Sequence, residues 1–232
     1  METKNLLKRE SPRMEAFRLL SACYILPDTG VPDTLDDLQG HLANTSESAA
    51  NFVRRMRQEI ENDPNVEALK IDFAKLFVGP YKLLAAPYGS VYLDSERTMM
   101  GDSTLDVKNR YREAGLDTAK NFKDAPDHIM AELEFMYYLI FKEIEALSNS
   151  DIEMAIGCIQ KQKSFLEDHL LRWVPEFTGN IIEHAETAFY QNLAKATETF
   201  LKDNYTRVCS ALDSVSMQLN SEKHIEINSL QV

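Results

Sequence analysis

The sequence predicts an all-α fold in a single helical domain, and three observations support this prediction. The 232 residues include only 8 glycines and 8 prolines, so the chain offers few sites for the tight turns of sandwiches and barrels. Apolar residues recur along most of the chain with the 3.6-residue period of amphipathic helices. No stretch of convincing length alternates apolar and polar residues as a half-buried strand does. A chain of this length can bury one large core.

The N-terminal third is predicted to contain four helices. Ser11 and Pro12 are typical of a helix start, because proline fits the first helical position. Further helices are predicted at about 34–42, 46–61 and 63–78. The apolar residues of the last one are spaced at i, i+3, i+7, i+10 and i+11: Val66, Leu69, Phe73, Leu76 and Phe77.

Residues 79–101 depart from this helical pattern. The segment holds 5 of the chain's 16 Gly and Pro residues, together with Tyr81, Tyr88 and Tyr92. Loops longer than about 12–15 residues are uncommon in compact domains and are often functional. Because such aromatic side chains are unusual in a solvated connection, we expect either the protein itself or a ligand to cover them.

The middle of the chain is predicted to be two helices joined by a hinge. A helix at about 103–114 ends at Gly115, which is typical of a left-handed cap. The hinge spans residues 116–127, and a long helix opens at Pro126. Asp127 would then lie in the first turn of that helix, where a carboxylate satisfies unpaired backbone N–H groups.

The C-terminal part is predicted to be helical up to about residue 212. Ser150 and Glu153 have the spacing of a capping box before the next helix. Two more helices are predicted within residues 175–212. Beyond them the helical period is lost, so we expect the domain to span residues 1–213 and residues 214–232 to form a flexible tail.

The net charge excludes several classes of partner. With 25 Lys+Arg against 37 Asp+Glu, the chain carries a formal charge of −12. Nucleic acids and anionic membranes both require clustered basic residues, so neither is an expected partner. The longest apolar run, residues 135–141, is far shorter than the roughly 20 residues of a membrane span, and the polar N-terminus has no apolar signal sequence. Cys23, Cys158 and Cys209 are too widely spaced for a disulfide framework, which favours a cytoplasmic protein with free thiols.

Common catalytic motifs are absent from the sequence. It has no P-loop, no GxGxxG, no GxSxG and no HExxH, so no nucleotide site, cofactor or catalytic residue is predicted. His128 and Glu132 are spaced i, i+4 and could reach one metal ion, but a third ligand is missing. Asp127 and His128 are adjacent and would point about 100° apart on a helix. A metal-dependent hydrolase built on Asp127, His128 and Glu132 stays open as an alternative.

Acidic residues are concentrated between positions 124 and 153. That stretch has one cation, Lys142, and eight carboxylates: Asp124, Asp127, Glu132, Glu134, Glu143, Glu145, Asp151 and Glu153. They are consistent with a solvated face, or with a surface for a basic ligand, because carboxylates accept paired hydrogen bonds from arginine. Next to the aromatic loop, such a surface suits a ligand that is basic at one end and apolar at the other, as bacterial export signals are. An all-α adaptor for a partner helix is a further alternative.

Several motifs in this region together resemble the TorD/DmsD family of cytoplasmic chaperones for molybdenum-containing reductases. The central ones are LFVGPY at 76–81, APYGSVYLD at 86–94 and GDST at 101–104. Pro126-Asp127-His128 resembles the family's second motif. HLLRW at 169–173 and AETAFY at 185–190 are similar to its C-terminal pattern, most closely to that of the DmsD branch.

The resemblance implies an all-helical single domain that binds the twin-arginine signal peptide of a client reductase. It also implies that the chain holds the apo form of that molybdenum reductase until molybdopterin is inserted, before export by the Tat machinery, as a monomer or a domain-swapped dimer. The signal-peptide site carries over to these positions: Leu76, Phe77, Pro80, Pro87, Tyr88, Ser90, Tyr92, Asp127 and His128. The family often has tryptophan where Tyr88 and Tyr92 stand. Tyrosine keeps the ring and adds a hydroxyl, so we expect binding to survive and client preference to differ.

Overall fold

The computed structural model describes residues 2–63, 66–79, 83–95, 99–116 and 124–229, and side chains between residues 9 and 214 of these ranges. Ten α-helices and two π-helical turns account for most of the described residues, and no strand longer than an isolated bridge occurs among them. The all-α prediction is therefore confirmed. The helices are α1 Glu2–Ala22, α2 Val31–Leu42, α3 Glu47–Asn62, α4 Glu67–Phe73, α5 Ser90–Leu93, α6 Asp102–Glu113, α7 Ile129–Ser148, α8 Ile152–Phe165, α9 Leu171–His184 and α10 Ala188–Ser229. The π-helical turns, Ala74–Val78 and Leu166–Leu170, follow α4 and α8.

The first helix begins earlier than predicted. Helix α1 starts at Glu2 and contains Pro12 in its interior, so the predicted start at Ser11 and Pro12 is wrong. Proline removes one intrahelical hydrogen bond. Packing offsets this loss, because α1 lies along α7 and buries Phe17 and Leu20 completely or almost so. Tertiary contacts therefore outweigh the local start signal.

Other predicted helix starts are also displaced, among them those at Pro126 and Ser150. Helix α7 opens at Ile129 with His128 as its N-cap, three residues after the predicted start at Pro126. Helix α8 is capped by Asp151, whose carboxylate accepts the N–H of Met154 at 3.0 Å. Ser150, the predicted cap, has a φ of 58° and lies outside the helix. Aspartate one position later makes the same kind of cap bond.

The C-terminal segment is helical, although the sequence predicted that helical structure ends at about residue 212. Helix α10 runs without a break from Ala188 to Ser229, so residues 213–229 are helical in backbone. Neither glycine nor proline occurs in this stretch to end the helix. The proposed domain boundary at residue 213 stays a prediction. None of the described helices combines the length and the apolar character that a bilayer span requires.

Large aromatic side chains form the centre of the core. The biggest fully buried ones come from α1, α8, α9 and α10: Phe17, Phe165, Trp173, Phe177, Phe189, Tyr190 and Phe200. Each contributes about 1.5–3 kcal/mol by leaving water. Leu76 and Phe77 belong to the same core, and the Phe77 ring lies 5.6 Å from the Tyr190 ring. These contacts hold the π-helical turn that leads into the aromatic loop against the core.

Buried hydrogen bonds of Arg13 join three helices. Its guanidinium donates to Glu10 in α1, to Glu143 in α7 at 2.7 Å, and to Gln162 in α8 at 2.7 Å. Arg207 of α10 also pairs with Glu10, at 2.6 Å. A buried pair broken on one side costs several kcal/mol, so these bonds fix the relative positions of α1, α7, α8 and α10.

A second buried carboxylate anchors the turn before α10. Asp72 accepts the backbone N–H of Glu186 at 3.1 Å, and the N–H and hydroxyl of Thr187 at 2.8 and 2.7 Å. Its burial is almost complete. These bonds attach α4 to the connection between α9 and α10.

Candidate functional site

The aromatic loop and the hinge meet in a short antiparallel bridge. Tyr88 pairs with His128, through the N–H of Gly89 to the carbonyl of Asp127 at 2.9 Å and the N–H of Ile129 to the carbonyl of Pro87 at 2.8 Å. Two of the predicted site segments, 40 residues apart in sequence, are thus brought together. Because both hydrogen bonds are between backbone groups, their geometry does not depend on any one side chain.

The buried side chain of Asp127 binds the backbone of the aromatic loop. Its side chain is fully buried, and Oδ2 accepts the N–H of Ser90, the first residue of α5, at 2.7 Å. It therefore caps α5, and the expectation that it occupies the first turn of α7 is wrong. Its other oxygen, Oδ1, and the Ser90 hydroxyl have no hydrogen-bond partner among the described residues.

His128 is a structural residue at the start of α7. Its Nδ1 accepts the N–H of Met130 at 3.2 Å, and its ring meets the Tyr88 ring edge-to-face at 5.2 Å. Burial lowers the pKa of His128, against the opposing effects of Asp124 and Asp127. A lowered pKa favours the neutral ring, which accepts a hydrogen bond and packs against tyrosine.

Among the predicted site residues that the structure describes, Tyr88 and Tyr92 are the two that reach the surface. Both are half-buried. The Tyr88 hydroxyl donates to Oδ1 of the exposed Asp124 at 3.0 Å, and burial together with this bond raises the pKa of Tyr88 to about 12. The Tyr92 ring stacks on Trp173 with 5.7 Å between centroids. Both tyrosines thus leave part of the side chain exposed, with the Tyr88 hydroxyl directed at Asp124 and the Tyr92 hydroxyl accepting from the Asn180 amide at 3.5 Å.

The base of this site is formed by Trp173 and Glu132. Both are fully buried, and the indole N–H of Trp173 donates to Oε2 of Glu132 at 3.0 Å. Gly89 crosses directly above them: a Cβ at that position would lie 3.2 Å from Nε1 of Trp173 and 3.3 Å from Oε1 of Glu132. Burial raises the pKa of Glu132 well above its ordinary value, and Asp127 adds to the effect. The base is therefore close-packed and favours an uncharged Glu132.

The contact between these two residues was not predicted from the sequence, which pointed to Glu132 as a possible metal ligand and to Trp173 as the end of the HLLRW motif. Glu132 lies three residues after Ile129 and four before Met136, so helical spacing already places it on the buried face of α7. Trp173 follows a π-helical turn, which the sequence does not reveal.

The remaining predicted site residues lie beneath the surface. Leu76, Phe77, Pro87 and Ser90 are all buried, so in this conformation they support the loop and do not face solvent. Pro80 lies outside the described residues. Further apolar side chains are exposed here: Leu84, Met99 and Met100 on the loop itself, and Val78 at the end of the π-helical turn that precedes it.

The eight carboxylates between residues 124 and 153 do not form one continuous face. Three are buried: Asp127, Glu132 and Glu143. Asp151 caps α8, and Glu145 pairs with Lys142. Asp124 and Glu134 are exposed near the start of α7.

The geometry does not favour the hydrolase alternative. Asp127, His128 and Glu132 each bind a different partner: the Ser90 N–H, the Met130 N–H and the Trp173 indole. Within the described ranges, no three His, Cys, Asp or Glu residues are grouped closely enough to hold a metal ion. Cys23 and Cys158 are buried and Cys209 is half-buried, and all three are free thiols.

Comparison with known proteins gives consistent matches. The family model for the nitrate reductase delta subunit matches residues 36–179. Chaperone protein TorD of Vibrio parahaemolyticus is 27% identical over 146 residues, covering 63% of this chain and 66% of that protein. TorD of Aliivibrio fischeri is 30% identical over 134 residues, covering 58% and 61%. The Tat proofreading chaperone DmsD of Salmonella typhi is 30% identical over 160 residues, covering 69% of each chain.

A solved structure supports the fold. A crystal structure from Archaeoglobus fulgidus, of a protein assigned as a redox enzyme maturation protein, matches with a TM-score of 0.51 and 22% identity. It covers 82% of this chain and 93% of the other. The alignments span slightly less than two thirds of the two TorD proteins. The family model nevertheless matches more than half of the chain, so this protein belongs to the nitrate reductase delta subunit family and is a relative of the TorD and DmsD chaperones.

Proposed function

We propose that this protein is a non-enzymatic, system-specific chaperone for a molybdenum-containing reductase. It binds the twin-arginine signal peptide of that client and holds the apo form for cofactor insertion before Tat export. Relatives named as TorD chaperones and as a Tat proofreading chaperone support the proposal. The proposed place of action is the cytoplasm, because a leader must be bound before export, and the proposed state is a monomer or a domain-swapped dimer.

The observation that carries this proposal is the pairing of exposed aromatic surface with an acidic group. Tyr92 stacks on Trp173, the neighbouring Gly89 packs against Trp173 and Glu132, and the hydroxyl of Tyr88 contacts the exposed Asp124. A signal peptide has a basic segment followed by an apolar one. The apolar segment fits the tyrosine rings, and the basic segment fits the carboxylate.

The expected affinity is modest. Each large apolar side chain that the peptide buries contributes about 1.5–3 kcal/mol. The cost of ordering an extended peptide offsets much of this gain, which leaves a dissociation constant on the order of micromolar. The net charge of −12 speeds the approach of a basic leader.

Calorimetry tests the proposal directly. The full chain is titrated with a synthetic peptide that has an Arg-Arg pair followed by a Leu/Ala-rich apolar stretch. We expect one peptide per chain, and about tenfold weaker binding after Tyr88→Ala because a half-buried ring is lost. Phe141→Ala is the matched control, since Phe141 is an exposed aromatic residue of α7 that lies outside the site.

Two results would contradict the proposal. One is an absence of binding by the unmodified chain. The other is binding that survives Tyr88→Ala and is lost in Phe141→Ala. The second result would favour the adaptor alternative, in which a partner helix binds elsewhere on the bundle.

A further inference from the structure

The two aspartates beside Tyr88 have different surroundings. Asp127, from the family motif, is fully buried, and its carboxylate is bonded to the Ser90 N–H inside the protein. Asp124, three residues earlier, is exposed. A guanidinium group that approaches from solvent can reach Asp124 without any rearrangement of the core. Reaching Asp127 requires displacement of the bond that caps α5.

Asp124 is also held in a defined orientation. Oδ1 accepts the Tyr88 hydroxyl at 3.0 Å, and the Tyr88 backbone is fixed by the bridge to His128. The N–H of His128 also donates to the carbonyl of Ala125, next to Asp124, at 3.0 Å. An ionised carboxylate accepts about four hydrogen bonds, so the phenol leaves capacity for a guanidinium.

The electrostatic environment favours a cation at this position. The Tyr88 hydroxyl lies within the electrostatic influence of both Asp124 and Asp127, whose charges contribute to its raised pKa. In addition, Oδ1 of Asp127 is buried and has no hydrogen-bond partner in the described part of the chain. A positive group that binds Asp124 would therefore lie beside a hydroxyl on which the charges of both aspartates act.

We infer that Asp124, oriented by the Tyr88 hydroxyl, is the carboxylate that accepts an arginine guanidinium of the bound signal peptide. Asp127 of the family motif then acts as a positioning residue, which holds Ser90 and the start of α5 in place. This inference rests on the proposed function, since it names the acidic contact of the same site.

A peptide-by-variant cycle tests the inference on the full chain. Calorimetry compares the Arg-Arg peptide with a Gln-Gln version of the same peptide, for the unmodified chain and for Asp124→Asn. Asparagine keeps the shape and an oxygen that accepts the Tyr88 hydroxyl, and it removes the charge. We expect Asp124→Asn to weaken binding of the Arg-Arg peptide about tenfold and to leave the Gln-Gln peptide unchanged.

Two variants complete the cycle. Glu153→Gln, at an exposed carboxylate of α8, removes the same charge away from the site and should affect neither peptide. Asp127→Asn keeps an oxygen that can accept the Ser90 N–H, although a weaker acceptor than a carboxylate, so any loss of binding should be the same factor for both peptides.

The outcomes separate the inference from the proposed function. If the unmodified chain binds the Arg-Arg peptide and Asp124→Asn weakens both peptides equally, the inference is wrong and the proposed function stands. The inference would also be wrong if Asp127→Asn, and not Asp124→Asn, weakened binding of the Arg-Arg peptide while leaving the Gln-Gln peptide unchanged. If the unmodified chain binds neither peptide, both are wrong.

Discussion

The carboxylate of Asp127 accepts the backbone N–H of Ser90 at 2.7 Å, across 37 residues of sequence. The residue just before the N-cap of the long helix α7 therefore fixes the first turn of the short helix α5. Helix α5 has only four residues, too few to be stable alone. The position of α5, which carries Tyr92 and follows Tyr88, depends on this contact and on the neighbouring bridge.

Asp127→Ala should destabilise the fold. The substitution leaves the N–H of Ser90 buried without an acceptor, which costs about 1–3 kcal/mol. Urea denaturation followed by circular dichroism measures the change in the free energy of unfolding. Glu153→Ala serves as control and should change stability by less than about 0.5 kcal/mol, because this residue is exposed. Equal stability of the two variants would show that Asp127 does not anchor α5.

Gly89→Ala should disturb the base of the site. The new methyl group would lie 3.2 Å from Nε1 of Trp173 and 3.3 Å from Oε1 of Glu132, so the indole or the hydrogen-bonded carboxylate must shift by a few tenths of an ångström. We expect a loss of about 1–3 kcal/mol in stability from this overpacking. The change in Trp173 fluorescence reports the displacement, since this is the only tryptophan of the chain.

Gly40→Ala provides a matched control for that substitution. Gly40 lies within α2, and nothing stands within 4 Å of a Cβ placed there. Alanine should stabilise the helix by up to about 1 kcal/mol and leave Trp173 fluorescence unchanged. A stabilising effect of Gly89→Ala as well would mean that the loop does not pack on Trp173 as described.

Glu132→Gln should change how stability depends on pH. Burial raises the pKa of Glu132 in the folded state, so the folded protein holds this proton more tightly than the unfolded chain does. The stabilising contribution is complete below the unfolded pKa of about 4.3 and is lost as pH rises through the folded pKa. Glutamine is neutral at every pH and can still accept from Trp173.

Denaturation at a series of pH values checks this prediction. Near pH 4 the variant and the unmodified protein should have similar free energies of unfolding. As pH rises above that value, the unmodified protein should lose stability relative to Glu132→Gln. A stability difference that is independent of pH would contradict the assignment of a raised pKa to Glu132.

Helical periodicity and the scarcity of glycine and proline were sufficient to predict the fold class. The positions of single glycines also predicted where helices end. One example is the left-handed cap at Gly115, which has a φ of 81°. Helix starts were less predictable where tertiary packing decides. Pro12 lies inside α1 because the helix packs along α7, a contact that no local signal reveals.

The candidate site was only partly predictable. The residue motifs and the resemblance placed the aromatic loop and the hinge in one site, and the structure brings these two segments together. Local reasoning could not find the partner of Asp127, because Ser90 is distant in sequence. Counting charges also could not distinguish Asp124 from Asp127. Asp124 is exposed and Asp127 is buried because of three-dimensional packing, which the sequence does not show.

The salt dependence of peptide binding tests the central claim most directly. That claim is that aromatic surface at Tyr88 and Tyr92, next to the Asp124 carboxylate, captures a leader that is basic and then apolar. Calorimetry with the Arg-Arg peptide would be repeated at about 50 mM and about 500 mM salt, across which screening shortens the range of charge interactions several-fold. The account predicts clearly weaker binding at the higher concentration and little change for the Gln-Gln peptide. Equal affinity of the Arg-Arg peptide at both concentrations would contradict it.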